Sequence, residues 1–212
     1  NIALQSPMAM GPNLKIFKHI KKQADQVNLL LGKERGEAPD MKGSGKRFAH
    51  MIAIAPNASS SVICGNTSPS IEPLRANAFS QKTLSGTFLI KNKYLEQLLE
   101  KKGKNTKDVW QTIITSGGSV STLDFLNDKE KNVFRTAIEI DQAWLIDLAG
   151  ERQKYICQAQ SLNLFFPPDV EVRRLNNVHK RAWTKGLKTL YYLRSEAIRR
   201  AENISVKVER QV

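Results

Sequence analysis

The chain has little of what most enzymes use for ionic or metal chemistry: its 212 residues include two cysteines and three histidines. Neither a Cys-x-x-Cys nor a His-x-x-x-His pair occurs, so a zinc site is not expected. His19, His50 and His179 are isolated, which leaves no Ser-His-Asp order to argue; His179 reads as a satisfied core residue. Cys64 and Cys157 sit in apolar stretches, where buried, reduced thiols are expected, a single bridge being the alternative for a secreted fold. Nothing approaches the roughly 18 consecutive apolar residues of a membrane span. The opening N-I-A-L-Q-S-P-M has no charged segment before an apolar block, so no secretory signal is expected and a cytoplasmic location is. A first residue of Asn points to a cut or processed chain. Repeats and low-complexity tracts are absent.

What is present is a globular composition, 41% hydrophobic and 25% charged, with room for one sizeable core. Lys and Arg outnumber Asp and Glu by 33 to 20, a net charge of +13. Residues 170–212 hold eleven of the cations against four Glu, scattered through apolar text. That pattern suits a charged docking face better than a disordered basic tail. Nucleic acid, an acidic partner or a phosphorylated small molecule would each fit the charge. A basic nucleic-acid-binding module is one alternative function, and a non-catalytic assembly or regulatory fragment is another.

Hydrophobic periodicity predicts an amphipathic helix over 13–33, after Pro12, with Leu14, Phe17, Ile20, Ala24, Val27 and Leu31 on one face. M-I-A-I-A-P, 51–56, reads as a buried strand. Helices follow at 94–102 and 108–115, and one long helix at 128–152. S-L-N-L-F-F is a second strand, stopped by Pro167 and Pro168. Asp169 then caps a helix with Leu175, Val178, His179, Ala182 and Trp183 on its stripe, ended by Gly186. A third strand covers 187–193, and Ser195 caps a last basic helix. Apolar strands separated by helices indicate α/β architecture with parallel strands, too few for a complete barrel.

Three stretches could carry chemistry. A-P-N-A-S-S-S, 55–61, is either an ordinary serine-rich turn or, if a helix starts there, an anion site built from unpaired N–H groups. In G-N-T-S-P-S-I-E-P, Glu72 is the only charge, either a catalytic acid or a cap for backbone donors. Gln158, Gln160 and Asn163 are expected to satisfy neighbouring backbone groups. The chain also has four tyrosines, and two of them, Tyr191 and Tyr192, are adjacent. In a regular strand they would point to opposite faces. Only a departure from that geometry would let the rings meet and a phenol pass an electron to its neighbour.

R-G-E-A-P-D, I-A-P-N-A-S-S-S-V-I-C-G-N-T-S-P-S-I-E-P, T-L-S-G-T-F, Q-S-L-N-L-F-F and W-T-K-G-L-K-T-L-Y-Y-L-R occur in that order. Together, over about residues 16–202, they resemble the C-terminal third of the large subunit of class I aerobic ribonucleotide reductase. The resemblance implies that residues 1–212 are the C-terminal part of one ten-stranded α/β-barrel catalytic domain, incomplete without an N-terminal piece. It implies ribonucleotide reduction by radical chemistry, with Pro56, Asn57, Ala58, Ser59 and Ser60 as the substrate-diphosphate loop. Tyr191 and Tyr192 match the radical-transfer dyad, Tyr192 receiving from the small subunit and Tyr191 passing inward. Arg173, Arg174, Lys180 and Arg181 fall where the small subunit's tail would dock. No cofactor is implied in this chain; a dinuclear metal radical cofactor is expected in the small subunit, and a thiol reductant system as a further partner. The thiyl-forming cysteine and the reducible pair would lie upstream of Asn1. Neither Cys64 nor Cys157 matches them, and the chain is expected to be inactive alone, as a trimmed or naturally split piece.

Overall fold

The computed structural model describes residues 2–65, 68–83 and 86–195. Helix α1 spans Pro7–Arg35, with Ser6 accepting from the Met8 N–H at its start and Pro7 at its first turn. It begins earlier than its periodicity predicts, and Pro12 lies inside it. The N–H that Pro12 lacks would have bonded the carbonyl of Met8, an exposed residue in the opening turns, so water can take its place. The expected apolar stripe of α1 is not a core face. Of that stripe Ile20 and Val27 are exposed and Leu14, Phe17, Ala24 and Leu31 only half-buried; Ile16 and Leu30, outside it, are exposed, and the fully buried residues are Asn28 and Gly32. Asn28 exchanges two 2.8 Å bonds with the backbone of Phe48. Gly32 lets the following loop close in: a Cβ there would stand 2.1 Å from the Gly45 carbonyl oxygen.

A short helix, α2 (Ala58–Ile63), follows an extended segment, and an antiparallel hairpin, β1 (Ala78–Thr83) with β2 (Gly86–Lys91), follows that. The hairpin was not legible in the sequence. Helices α3 (Lys93–Lys101) and α4 (Lys107–Thr115) agree with the spacing, and Asn92 and Thr106 cap them. They enclose a first core of Leu95, Leu99, Trp110, Ile113, Val120 and Phe134 with Ala78 of β1.

The long helix expected over 128–152 is two: α5 (Asp128–Val133) and α6 (Gln142–Gln153). Between them the Glu139 carboxylate accepts from the N–H and hydroxyl of Thr136, at 2.8 and 2.7 Å, and Asp141 caps α6. These side-chain bonds offer the backbone an alternative to the helix. Phe134, Ala137 and Ile140 stay buried through the break, so the apolar period survives it.

Helix α6 is the hub of the second half. It packs against α1, against β3 (Leu164–Phe166) and against α7 (Val172–Thr184), around Ile146, Ala149, Leu162, Leu164, Phe166, Val178 and Ala182. Asp169 does not cap α7; Glu171 precedes the helix without a side-chain cap bond. Gly186, at φ 73°, ends it as expected. His179 and Trp183 turn outward, Trp183 being 78% exposed, because Leu175, Val178 and Ala182 alone suffice to face α6. Parallel pairing joins three segments. Ile54 bridges Gln160, and Leu164–Phe166 pairs with β4 (Leu193–Ser195), which starts later than the expected 187–193. This is a piece of parallel barrel wall, helix-rich. The helix expected after Ser195 lies outside the described residues.

Asp147 ties α7 to α6. Its carboxylate accepts from Arg181 Nε and Nη2 at 2.8 and 2.6 Å and lies 3.5 Å from Lys185 Nζ. Burial acts to raise its pKa, but the Arg181 hydrogen bonds and the two positive charges hold it below the usual aspartate value of 3.8. A depressed carboxylate contributes stability above its unfolded pKa and loses it as pH falls through the folded one. Asp147→Asn should therefore cost about 1–2 kcal/mol at pH 7, given a half-exposed arginine partner. The difference from the parent should vanish on acidification through that range. Urea unfolding at pH 7 and at steps below pH 4 checks both.

Candidate functional site

The two adjacent tyrosines meet. Their ring centroids are 4.2 Å apart and the planes tilt by 52°. The cause is in the ladder. The Tyr191 N–H donates to the Leu162 carbonyl at 2.9 Å, while the Leu164 N–H donates to the carbonyl of Tyr192, not Tyr191, at 2.9 Å. In a regular parallel pair one residue would make both bonds. Here two residues stand opposite Asn163, which is a one-residue bulge. The strand becomes regular only at Leu193, opposite Leu164. The bulge abolishes the alternation that would have split the phenols between faces. Both rings are about half exposed, and Arg194 lies 5.1 Å from the Tyr192 ring. Hydrogen bonding and charge interaction with Tyr192 raise the Tyr191 phenol above its ordinary pKa.

Asn163 fills the gap that the bulge leaves. Its Oδ1 accepts from the Tyr192 N–H at 3.3 Å, and its Nδ2 donates to Glu72 Oε1. Glu72 is 3% exposed; among the described residues it caps no backbone donor, and its second oxygen is buried without a hydrogen-bond partner. The expectation of a capping role is thus corrected: this carboxylate holds an amide and faces a cavity. The cavity measures about 560 Å³, and Pro56, Glu72, Arg75, Asn163, Phe165 and Arg194 are among its lining residues. It lies against the parallel wall, beside Asn163 and Phe165 of one segment and Arg194 and Ser195 of the other.

Pro56, at the head of the serine turn, lines the same cavity. Helix α2 starts directly after Asn57, whose N–H donates to the Pro69 carbonyl at 2.8 Å and whose carbonyl accepts from the Ser61 N–H at 2.9 Å. A helix of six residues does begin there, and the N–H groups of a helix's opening turn have no acceptor within the helix. Through Pro69 and the loop to Glu72, the turn is linked to Asn163 and so to the tyrosine bulge.

Behind this wall is a buried polar layer. Arg152 Nε donates to Gln160 Oε1 at 2.6 Å, and Gln160 Nε2 donates to the Ala149 carbonyl and Gln153 Oε1 at 3.0 and 2.9 Å. Burial lowers the Arg152 pKa to about 10, opposed by the nearby charge of Glu72. Gln160 thus satisfies its neighbours as expected. The cysteines differ from expectation in burial: Cys64, in the turn just past the end of α2, is exposed, and Cys157 is half-buried. Cys157 Sγ accepts from the Met51 and Ile52 N–H groups at 3.1 and 3.0 Å. Both are unpaired, and among the described residues no three His, Cys, Asp or Glu side chains gather as a metal site. No described helix is long and apolar enough to cross a membrane.

Of the four α7 cations, Arg181 is engaged by Asp147, and Arg174 lies 3.8 Å from Asp141. Arg173 and Lys180 are exposed, with Trp183 and Val172 on the same outward side of the molecule's surface. Sequence reasoning missed the exposed tryptophan, Arg194 and the pairing of Glu72 with Asn163. Only the solitary charge of the Ile-Glu-Pro loop hinted at the last.

Comparison with known proteins supplies independent findings. The family model described as ribonucleotide reductase, barrel domain, matches residues 37–193. The large subunit of ribonucleoside-diphosphate reductase from Invertebrate iridescent virus 6 is 50% identical over 209 residues, 97% of this chain and 22% of that protein. The alpha subunit from Chlamydia trachomatis is 40% identical over 172 residues, 81% of this chain and 16% of that one. Among solved structures, the Actinobacillus ureae class Id ribonucleotide reductase alpha subunit matches with a TM-score of 0.84 and 40% identity, over 92% of this chain and 36% of that one. The chain thus spans about a third or less of the length of these relatives.

Proposed function

The chain belongs to the ribonucleotide reductase barrel-domain family, and from that premise we propose that it is the C-terminal part of a large subunit that reduces ribonucleotides to 2′-deoxyribonucleotides by radical chemistry. Residues 1–212 are then one portion of a single barrel domain, completed by an N-terminal piece that carries the reactive cysteine. The exposed apolar side chains of α1, Ile16, Ile20, Val27 and Leu30, support an unfinished wall. Relatives named ribonucleoside-diphosphate reductase support a nucleoside diphosphate as substrate.

In this reading Pro56, Asn57, Ala58, Ser59 and Ser60 hold the diphosphate on the opening turn of α2. Tyr192 is oxidised first, losing an electron and its phenolic proton. It regains both as Tyr191 is oxidised, and Tyr191 regains them from the cysteine of the N-terminal piece. The small subunit's dinuclear metal centre supplies the initial oxidising equivalent. Arg173, Arg174 and Lys180 receive that subunit's acidic tail, with Arg181 fixing α7 on Asp147. A thiol system restores the reducing equivalents. The single observation that carries the reading is the contact of two adjacent phenols across a bulge, 4.2 Å between centroids.

The test is complementation. The chain alone, given ribonucleotide and reductant, is expected to yield no deoxyribonucleotide. Adding a protein that supplies the N-terminal part, together with the small subunit, should restore product. Deoxynucleotide formed by the chain alone, or none in the complete mixture with both partners bound, would reject the assignment.

A further inference from the structure

We propose that Asn163 and Glu72 form a latch that sets the geometry of the tyrosine pair, acting as positioning residues for radical transfer; this rests on the reading above. The observations converge on one amide. A bulge leaves a backbone N–H of the bulged strand without its ladder partner. At this bulge that N–H belongs to Tyr192, and Asn163 Oδ1, on the facing strand, takes it at 3.3 Å. The amide can do so only if its orientation is fixed, since an Asn flipped by half a turn would present Nδ2 to a donor. Glu72 fixes it. Its buried carboxylate accepts from Nδ2 and thereby specifies which end of the amide faces Tyr192.

The register is therefore encoded by two side chains far apart in sequence. Without the latch, the ladder gains by expelling the extra residue. Leu164 N–H and Leu162 O would then share one residue, and a regular strand would turn one phenol away from the other. Glu72 also ends the loop whose Pro69 carbonyl accepts from Asn57. The latch thus joins the serine turn to the tyrosines through three hydrogen bonds and a short loop. A purely stabilising role would not need this polarity: two apolar side chains of the same size fill a buried site as well or better.

The test uses the full chain carrying 3-fluorotyrosine, assembled with unlabelled partners. Its four tyrosines give four fluorine resonances, assigned with Tyr191→Phe and Tyr192→Phe. In the parent, the two resonances of the pair each respond to ionisation of the other phenol. In Asn163→Leu/Glu72→Leu, which leaves neither latch partner unpaired but takes the Glu72 charge from buried Arg152, that mutual response is expected to disappear. Turnover should fall by about a hundredfold, the scale of a reacting group misplaced by an ångström. Asn163→Asp/Glu72→Gln exchanges donor and acceptor and keeps the net charge, so it should restore the response and bring turnover back to within about threefold.

A mutual response that persists in the double-leucine protein overturns the latch. So does a folded exchange variant that recovers neither signal. Loss and recovery of the response with turnover constant throughout would overturn the role in radical transfer while leaving complementation intact.

Discussion

Replacing either Tyr191 or Tyr192 by Phe is expected to abolish turnover of the assembled enzyme, by more than about a thousandfold, or roughly 4 kcal/mol of added barrier. The substitution keeps the ring and its packing. It removes the phenolic O–H, and with it any accessible loss of an electron coupled to a proton. Both rings are half exposed in this chain and neither belongs to a core, so folding should be unaffected. A structural role would give the opposite result, because Phe serves packing as well as Tyr does. The two variants should be equally dead, since a relay fails wherever it is cut. Measuring substrate binding alongside turnover separates this from a defect at the serine turn, which should weaken binding.

The largest expected loss of stability lies one layer deeper. Phe166 is 1% exposed, among Ile146 and Ala149 of α6 and Val178 and Ala182 of α7. Phe166→Ala removes the largest fully buried side chain among the described residues and leaves a cavity between sheet and helices, a loss of about 3–5 kcal/mol. Natural domains hold only about 5–15 kcal/mol in total, so the loss should be visible as a fall in Tm of roughly 10 °C. It should also disturb the tyrosines, because Phe166 pairs with Ser195 on the strand that continues from the bulge. Trp183→Ala is the control: the side chain is 78% exposed, and the expected change is within about 0.5 kcal/mol. Its effect should appear instead in affinity for the small subunit, as aromatic residues on a docking face often carry the binding. Thermal unfolding of both variants, with small-subunit titration of the second, checks the contrast.

What the sequence discloses follows the range of the forces involved. Helices α3 and α4 are legible because Leu95 and Leu99, Trp110 and Ile113 recur at helical spacing and the caps Asn92 and Thr106 are local. Gly186 closes α7 for an equally local reason. The break between α5 and α6 is hidden, because Phe134, Ala137 and Ile140 keep the apolar period while Glu139 takes over the backbone of Thr136. The exposure of α1 is hidden too: its period is genuine, but Ile20 and Val27 of its apolar side are left uncovered by the described residues. The serine turn and the tyrosine pair are visible as motifs, and the roles proposed for them come from the resemblance. Their connection is not, since Asn163 reaches Tyr192 on one side and Glu72 on the other across 29 and 91 positions. The alternative of a nucleic-acid-binding module finds no support in the family or in the relatives the chain matches.

Electron transfer between the two phenols is most directly observed by freeze-quench EPR of the assembled enzyme, after rapid one-electron oxidation at the small-subunit face. With Tyr192 ring-deuterated, an unpaired electron first seen there should appear on the protonated ring of Tyr191 within a single turnover, and Tyr191→Phe should trap it on Tyr192. A radical that stays on Tyr192 until it decays, with the same spectrum and lifetime whether or not Tyr191 is present, would contradict a relay through this pair.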